Sequence, residues 1–513
     1  MKIQRKFQVE PLTDMISVGA VDANSARIWM RAAKTGDFVI RWWPEKEKNA
    51  VEGYSFNIPE KNDRDNTWSI RIPGDSSHSR LEPLQRYQFR ITHADKEYVI
   101  GDGSFETFPE KAEKTPARFS IALISCNQPF EKDGSLGDDD EKMLIAAYKC
   151  LKKHNTKYLL MVGDQMYSDY PRKLSLFNQD YFSTIAPAGK NSILECSVEE
   201  IRRIFQLRYR YFRNLPGWRN IHKEIPVFAI MDDHDIVDNW GSDPSHQNPE
   251  WQILGKGALW AYYDYQGSYI LPPKDDLPES FHYSFEYGFT ATFVMDLRSE
   301  RRAGDNGQLF SSKQKNDLIR FLADNEDKKM IFIVLSVPVI HISRRFAKIM
   351  AKVTPNGEDF SDRWSSGKQI EDRDRFFRII HDHQEKNPDQ KVFFLSGDIH
   401  VGCAHKISWA DGVPPLYQLI SSAITHKNGP LVQVGAKLLV HLNKEIATED
   451  SQISAKIHPL KGERGYNKNP YAKLNIGILE IESPENRIQP TLRFRLYGHK
   501  GYEPVCVYQS PLL

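Results

Sequence analysis

The segment VFAIMDDHDIVDNWG (residues 227–241) runs an unbroken apolar stretch from Val227 to Met231 straight into Asp232, Asp233, His234 and Asp235. Uninterrupted rather than alternating hydrophobicity means that both faces of a strand are covered, as in a sheet flanked by helices. The same pattern recurs in FSIALIS (119–125), YLLMVGD (158–164), TATFVMDLR (290–298), KMIFIVLSV (329–337) and KVFFLSGD (391–398). Between these runs, DEKMLIAAYKCLKKH (140–154), VEEIRRIFQLRYRYFRN (198–214), SSKQKNDLIRFLADN (311–325) and RDRFFRIIHDHQEK (373–386) have helical periodicity. ALWAYYDYQ (258–266) reads as a shorter aromatic helix, and LVQVGAKLLVHLN (431–443) as another helix.

The chain before residue 109 follows a different rule. SVGAVDANSARIWMRA, FVIRWWP, YSFNIP, WSIRIP and YQFRITHA are short strands separated by turn residues, closed by YVIGDGSFETFPE. This spacing predicts a small antiparallel sandwich of the fibronectin or immunoglobulin kind over 1–108. Residues 109–117, PEKAEKTPA, read as a linker, and 118–513 as the larger α/β domain, whose last strands lie in LNIGILEIE and PTLRFRLYG.

Composition removes several classes. With 40% hydrophobic residues among 513, the chain can bury a large core, while no apolar run reaches the ~18 residues of a membrane span. A net charge of +1 supplies no global attraction to nucleic acid. The five cysteines form no CxxC pair and no disulfide framework, which favours a reducing compartment. MKIQRKFQVE is followed by no apolar segment and does not read as a signal peptide, so the expected location is cytoplasmic. There is no phosphate-binding glycine loop and no GxSxG elbow.

The informative feature is where polar residues fall. FSIALIS ends at Cys126, YLLMVGD at Asp164 with Tyr167 close behind, VFAIMDD at Asp233 and His234, and KVFFLSGD at Asp398 with His400 following. Ligands bind beyond the carboxyl ends of strands in α/β sheets. Taken singly, each motif also has an ordinary reading: a turn, a helix cap, a buried cysteine, a packed tyrosine. Together they predict a cluster of carboxylates, imidazoles, a thiol and a phenol, which needs cations to neutralise it. Oxygen donors suit calcium, magnesium, manganese or ferric iron, imidazole also suits zinc, and a thiolate beside a tyrosinate points to iron. Two ions sharing a carboxylate would polarise a phosphate and generate hydroxide at neutral pH.

GDQMY, DDHD and SGDIH in this order, with VMDLRSERR, QLFSSKQKNDLIRFL and the sandwich segments ISVGAVDANSARIWMRA, LQRYQFRI and GDGSFETFPE, resemble the alkaline phosphatase D (PhoD-like) branch of the calcineurin-like metallophosphoesterases. The resemblance covers roughly residues 8–425. It implies a layered domain of two mixed sheets flanked by helices. It also implies hydrolysis of phosphate mono- or diesters, small or polymeric, by a metal-bound hydroxide. Two ions are expected, iron and calcium, with zinc, manganese or magnesium as alternatives. Carried over residue by residue, the metal ligands are Cys126, Asp164 (bridging), Tyr167, Asp233, Asp398 and His400. His234 is the catalytic group at the leaving oxygen, and Arg298 a phosphate clamp or a structural ion pair. Asp232 and Asp235 are expected to orient their neighbours. One histidine of the general superfamily is missing, its place held by Val337 and Pro338, with His341 nearby. A metal-binding scaffold of the same fold with lost or altered catalysis is therefore the alternative. Trp364 is read as pocket or core, and His405 and His426 as supporting or ordinary loop histidines. The acidic DGSLGDDDEK (133–142) is expected to be a solvated helix start, and IRRIFQLRYRYFRN (201–214) an amphipathic helix rather than an RNA-contact stripe.

Overall fold

The computed structural model describes residues 13–74, 79–95, 98–272, 274–303, 307–339, 364, 369–428, 445–448, 452–483 and 489–513. His341 and the 431–443 segment lie outside them.

The N-terminal strands form two antiparallel sheets. One has the order β1 (Met15–Val21), β2 (Ala26–Arg31), β5 (Thr67–Ile72). The other has the order β4 (Glu52–Ile58), β3 (Gly36–Pro44), β6 (Arg86–His93), β7 (Val99–Glu106). Alternation sets the register: the buried Ile40 and Trp42 of β3 lie opposite the buried Ile91 and Phe89 of β6. A shift of one residue would turn both stripes to solvent. In β2 the alternation fails because its second face is also covered. Trp29 there donates its indole N–H to the Asp264 carbonyl at 2.7 Å.

After a single 3-10 turn at Ala112–Lys114, the chain enters a six-stranded sheet ordered β10 (Val227–Ile230), β9 (Thr156–Val162), β8 (Arg118–Ile124), β19 (Ile476–Glu482), β20 (Thr491–Lys500), β21 (Glu503–Gln509). The first three strands are parallel to one another, and the C-terminal strands complete the sheet with antiparallel pairings, β19 on β8, β20 on β19 and β21 on β20. The eight-stranded sheet runs β11 (Tyr283–Tyr287), β12 (Thr290–Val294), β13 (Met330–Leu335), β14 (Lys391–Ser396), β16 (Leu416–Ile420), β15 (Cys403–Trp409), β18 (Ser454–Pro459), β17 (Glu445–Ala447). Its central strands β12, β13, β14 and β16 are parallel. Every residue of β12 and β13 is buried, as their continuous apolar sequences require.

The helices α1 (Asp138–Lys153), α2 (Gln179–Phe182), α3 (Val198–Arg213), α4 (Pro216–His222), α5 (Pro249–Tyr265) and α6 (Ser312–Asp324), with a further helix at Gln369–Lys386, accompany the sheets. A capping box starts α3: the Ser197 hydroxyl accepts from the Glu200 N–H, and the Glu200 carboxylate accepts from the Ser197 N–H. The basic α3 is a helix as expected, but its arginines are not all solvated. Arg208 and Arg213 are buried. The acidic start of α1 also departs from expectation at Asp140, which is buried 2.9 Å from Lys427; burial pushes its carboxyl up to about 7. No described helix is long and apolar enough to cross a membrane. All five cysteines are free thiols.

The sandwich shares a continuous buried cluster with the six-stranded sheet. Its polar anchor is Asp65, which accepts two bonds from Arg31 (2.9 and 3.0 Å) and one of 2.6 Å from Arg210 Nε, and lies against the Tyr265 hydroxyl. Burial works against the charged carboxylate, but the two guanidinium groups outweigh it and hold Asp65 below the usual carboxylate range. Asp65→Asn leaves two arginines short of a counter-charge and is expected to cost about 3–5 kcal/mol of stability. Because the folded-state pKa is depressed, that advantage is present above the unfolded value near pH ~4 and is lost as pH falls from there through the folded value. Melting temperatures of the two proteins, well apart at pH 7, should converge in strong acid.

Candidate metal centre

The carboxyl ends of parallel strands from both sheets meet at one place. Strands β8, β9 and β10 bring Cys126, the Gly163–Tyr167 turn and Asp232–Asp235, and β14 brings Asp398 and His400 from the other sheet. Backbone hydrogen bonds fasten the strand ends together: Cys126 N–H to Gly163 O (3.3 Å), Asn127 N–H to Asp164 O (2.7 Å), and Thr425 and His426 N–H to Cys126 O (3.3 and 3.2 Å). Gly163 is in the left-handed region at φ +90, and a Cβ there would lie 2.4 Å from the Asp232 Cβ. The two strand-end loops can approach this closely only with glycine.

Four of the expected ligands take backbone conformations that non-glycine residues avoid. Cys126, Asp164, Asp398 and His400 have φ of 55, 55, 62 and 54. Each such conformation costs on the order of 1–3 kcal/mol and persists where surrounding structure imposes it, characteristically at functional sites.

The side chains converge accordingly. Donor atoms of Cys126, Asp164 and His400 lie within 4.8 Å of one another, as do those of Asp164, Asp233 and His234, and those of Asp164, Asp232, Asp233 and Asp398. Asp164 belongs to all three groups. Its Oδ2 accepts from Tyr167 OH at 3.1 Å and lies 3.4 Å from Cys126 Sγ. Tyr167 OH is also 3.3 Å from His400 Nε2. All six expected metal ligands, with His234, are thus brought together.

The electrostatics disfavour the charged forms of these donors. Asp164 is 1% exposed, its Oδ1 has no hydrogen-bond partner, and burial pushes its carboxyl well up; His234 pulls the other way, and Asp233, Asp232 and Asp235 add to the rise. Burial and the Asp164 charge likewise push up the Cys126 thiol and the Tyr167 phenol. Without cations these groups hold their protons, and cations would reverse that. An acceptor-only carboxylate oxygen buried among hard and soft donors fits metal ligation.

Around the donors stands a supporting set. Asp235, fully buried, accepts from the N–H groups of Asp164 (2.9 Å), Asp232 (3.0 Å) and Met166 (3.2 Å), which fixes both loops. His234 Nδ1 lies 2.9 Å from both oxygens of Asp169, and its ring stacks on Tyr167 at 4.3 Å. Burial would lower the His234 imidazole, but Asp169, Asp233 and Asp164 outweigh it and hold it well above the ordinary value. Arg298 is fully buried with its Nε on the Asp232 carboxylate and Nη2 3.5 Å from Asp233, so it faces the carboxylates from within the protein rather than from solvent. The structure places Arg298 in a buried ion pair with Asp232.

Sequence reasoning missed Asp169, Ser422 and Arg208. Ser422 Oγ lies 3.1 Å from Cys126 Sγ and accepts from the His400 N–H at 3.0 Å. Arg208 donates to the carbonyls of Tyr167, Leu174 and Tyr170 at 2.8–2.9 Å, holding the loop that carries Tyr167. Only Asp169 had an available signal, five residues after Asp164 in GDQMYSD. His426 stacks on His400 at 3.8 Å. His405 is buried in β15, and Trp364 packs against Phe310 and Phe376 in the core.

The fold and its donor cluster define an α/β protein with a group of carboxylate, imidazole and thiol donors able to hold a metal at the mouth of two mixed sheets. The model for PhoD-like phosphatases matches residues 121–469, and the chain belongs to that family. Among solved structures, one described as the structure of PhoD is similar over 99% of this chain and 90% of its own, with TM-score 0.65 at 14% identity, a likeness of fold. The sensor domain of the anti-sigma factor RsgI4 from Pseudobacteroides cellulosolvens matches 20% of this chain and 95% of its own at 18% identity and TM-score 0.16. The FN5 domain of Drosophila Lar matches 20% and 98% at 10% identity and TM-score 0.14. Neither of these two likenesses carries structural weight. A comparison with curated proteins found no match.

Asp235→Ala removes the acceptor of three buried backbone N–H groups. At about 1–3 kcal/mol for each unsatisfied donor, the variant should unfold at clearly lower denaturant than the parent. An unchanged midpoint would show that these loops are fixed by other contacts.

Proposed function

We propose that this protein is a metal-dependent phosphoesterase that hydrolyses phosphate mono- or diesters. The observation that carries the reading is Asp164, a buried carboxylate shared by every donor group in a site assembled from two sheets. Cys126, Asp164, Tyr167, Asp233, Asp398 and His400 would together hold two ions, with Asp164 common to every donor group. The thiol and phenol favour iron for one ion, and oxygen donors suit calcium for the other, with zinc, manganese or magnesium compatible. Such ions, when bound, supply Lewis acidity to the phosphoryl oxygens and an activated water near neutral pH.

The chain's own residues do the rest. Asp169 holds His234 by Nδ1 and favours its protonated form, which leaves Nε2 to deliver a proton to the departing oxygen. Stacking on Tyr167 fixes the plane of that imidazole. Arg298 acts on this reading as a positioning residue, orienting Asp232 and Asp233, and not as the phosphate clamp. The substrate is a phosphoester.

The test is hydrolysis of p-nitrophenyl phosphate and bis-p-nitrophenyl phosphate with elemental analysis of the same samples. Chelation and Asp164→Asn should abolish turnover and lower metal content. His234→Ala should reduce kcat by about 10²–10⁴-fold with metal retained, and Asp169→Asn by about 10–100-fold. Full activity of the Asp164 variant would sink the proposal, and bound metal without turnover of either ester would favour the scaffold reading.

A further inference from the structure

Cys126 is fully buried, and its sulfur has oxygen neighbours of two kinds. Asp164 Oδ2 at 3.4 Å and the Asp398 carbonyl at 3.6 Å are acceptors, which suit a thiol and oppose a thiolate. The hydroxyls of Ser422 at 3.1 Å and Ser125 at 3.4 Å are able to donate. Metal ligation takes the thiolate, and a hydrogen bond donated to sulfur favours that form.

The two serines are not equivalent. Ser125 Oγ donates to the Ser421 carbonyl at 3.2 Å, and its single proton is directed there. Ser422 Oγ, also fully buried, accepts from the His400 N–H at 3.0 Å. A backbone N–H can only donate, so this bond occupies a lone pair of the hydroxyl and leaves its proton for another atom. The Cys126 sulfur stands within its reach. Tyr167, close by, directs its own hydroxyl at the Asp164 carboxylate.

Ser422 is itself held in place. The Asn475 side chain, fully buried, donates to the Ser422 carbonyl at 2.7 Å and accepts from the Ser421 hydroxyl at 3.0 Å. Its backbone N–H donates to the Ala423 carbonyl at 2.8 Å. Further along the segment, the His426 ring stacks on His400 and Asn428 Nδ2 donates to the His400 carbonyl. One segment thus grips His400 at its N–H, its carbonyl and its ring. Cys126 follows a strand of the six-stranded sheet and His400 one of the eight-stranded sheet. Ser422 therefore joins two donors that the two sheets supply separately.

We propose that Ser422 is a positioning residue of the metal centre, turning its proton onto the Cys126 sulfur while it holds the His400 N–H. It sets the direction and the donor strength of the thiolate together. The inference rests on the reading of Cys126 as a metal ligand. A hydrogen bond to a ligating sulfur draws in its electrons, which are then promoted to the metal less readily.

The test uses the full chain, stripped with chelator and titrated with cobalt(II), a metal that accepts sulfur, nitrogen and oxygen donors. Its thiolate charge-transfer band reports on the sulfur without any turnover. The band should appear in the parent and be lost in Cys126→Ser. Ser422→Ala should move it to lower energy and weaken cobalt binding about 10–100-fold. Ser422→Thr, which keeps the hydroxyl, should restore both. Should the alanine variant not fold, Ser422→Gly removes the same hydroxyl and should give the same shift. No band, or one that survives Cys126→Ser, overturns thiolate ligation and this inference with it, while the phosphoesterase reading is decided by its own assay. A band lost in Cys126→Ser but unmoved without the Ser422 hydroxyl, or moved as far in Ser422→Thr, overturns this inference alone.

Discussion

Asp164, Asp232, Asp233 and Asp398 place carboxylate oxygens within 4.8 Å of one another in a region largely closed to water. Four ionised carboxylates at that spacing repel strongly, because a protein interior screens charge far less than water does. Arg298, buried against Asp232 and Asp233, answers part of that charge from behind. The remainder, centred on Asp164, must be met by protons or by cations. A thiol, a phenol and an imidazole are gathered around it.

Holding such a cluster takes an architecture that can resist it. The acids sit at the ends of strands buried on both faces, and the loops that carry them are tied by backbone hydrogen bonds between the two sheets. Left-handed backbone at Cys126, Asp164, Asp398 and His400 is the strain this entails. Asp235 counters it by accepting from three N–H groups at the base of the two acidic loops. Stability spent at the site is recovered in the continuous apolar core beneath it.

Helix α3 connects this centre to the rest of the molecule. Arg208 holds the Tyr167 loop by three carbonyls, and Tyr209 lies 3.3 Å from Asp235. On the same helix Arg210 reaches Asp65 at the sandwich, and Arg213 lines a cavity at the junction with the sandwich. One helix therefore touches the loops that carry the donor cluster, their supporting carboxylate and the N-terminal sheets. Three of its arginines, Arg202, Arg208 and Arg210, serve buried carbonyls and carboxylates, while Arg203 is solvated.

How much of this was readable in advance follows from which interactions are local. Strand type, sheet coverage and the placement of Cys126, Asp164, Tyr167, Asp233, His234, Asp398 and His400 at strand ends are written in hydrophobic period and in short motifs, each decided within a few residues. The short antiparallel strands before residue 109 were legible for the same reason. The partners of Arg298, the burial of Arg208 and Arg213, the contact of Ser422 with Cys126 and the Asp65 anchor were not, because each joins residues far apart in the chain. The sequence by itself determined which chemical groups stand at the strand ends. Only the tertiary structure decided which of them face one another and which arginines lose their water, since charge pairing in a buried site depends on distances that no local pattern records.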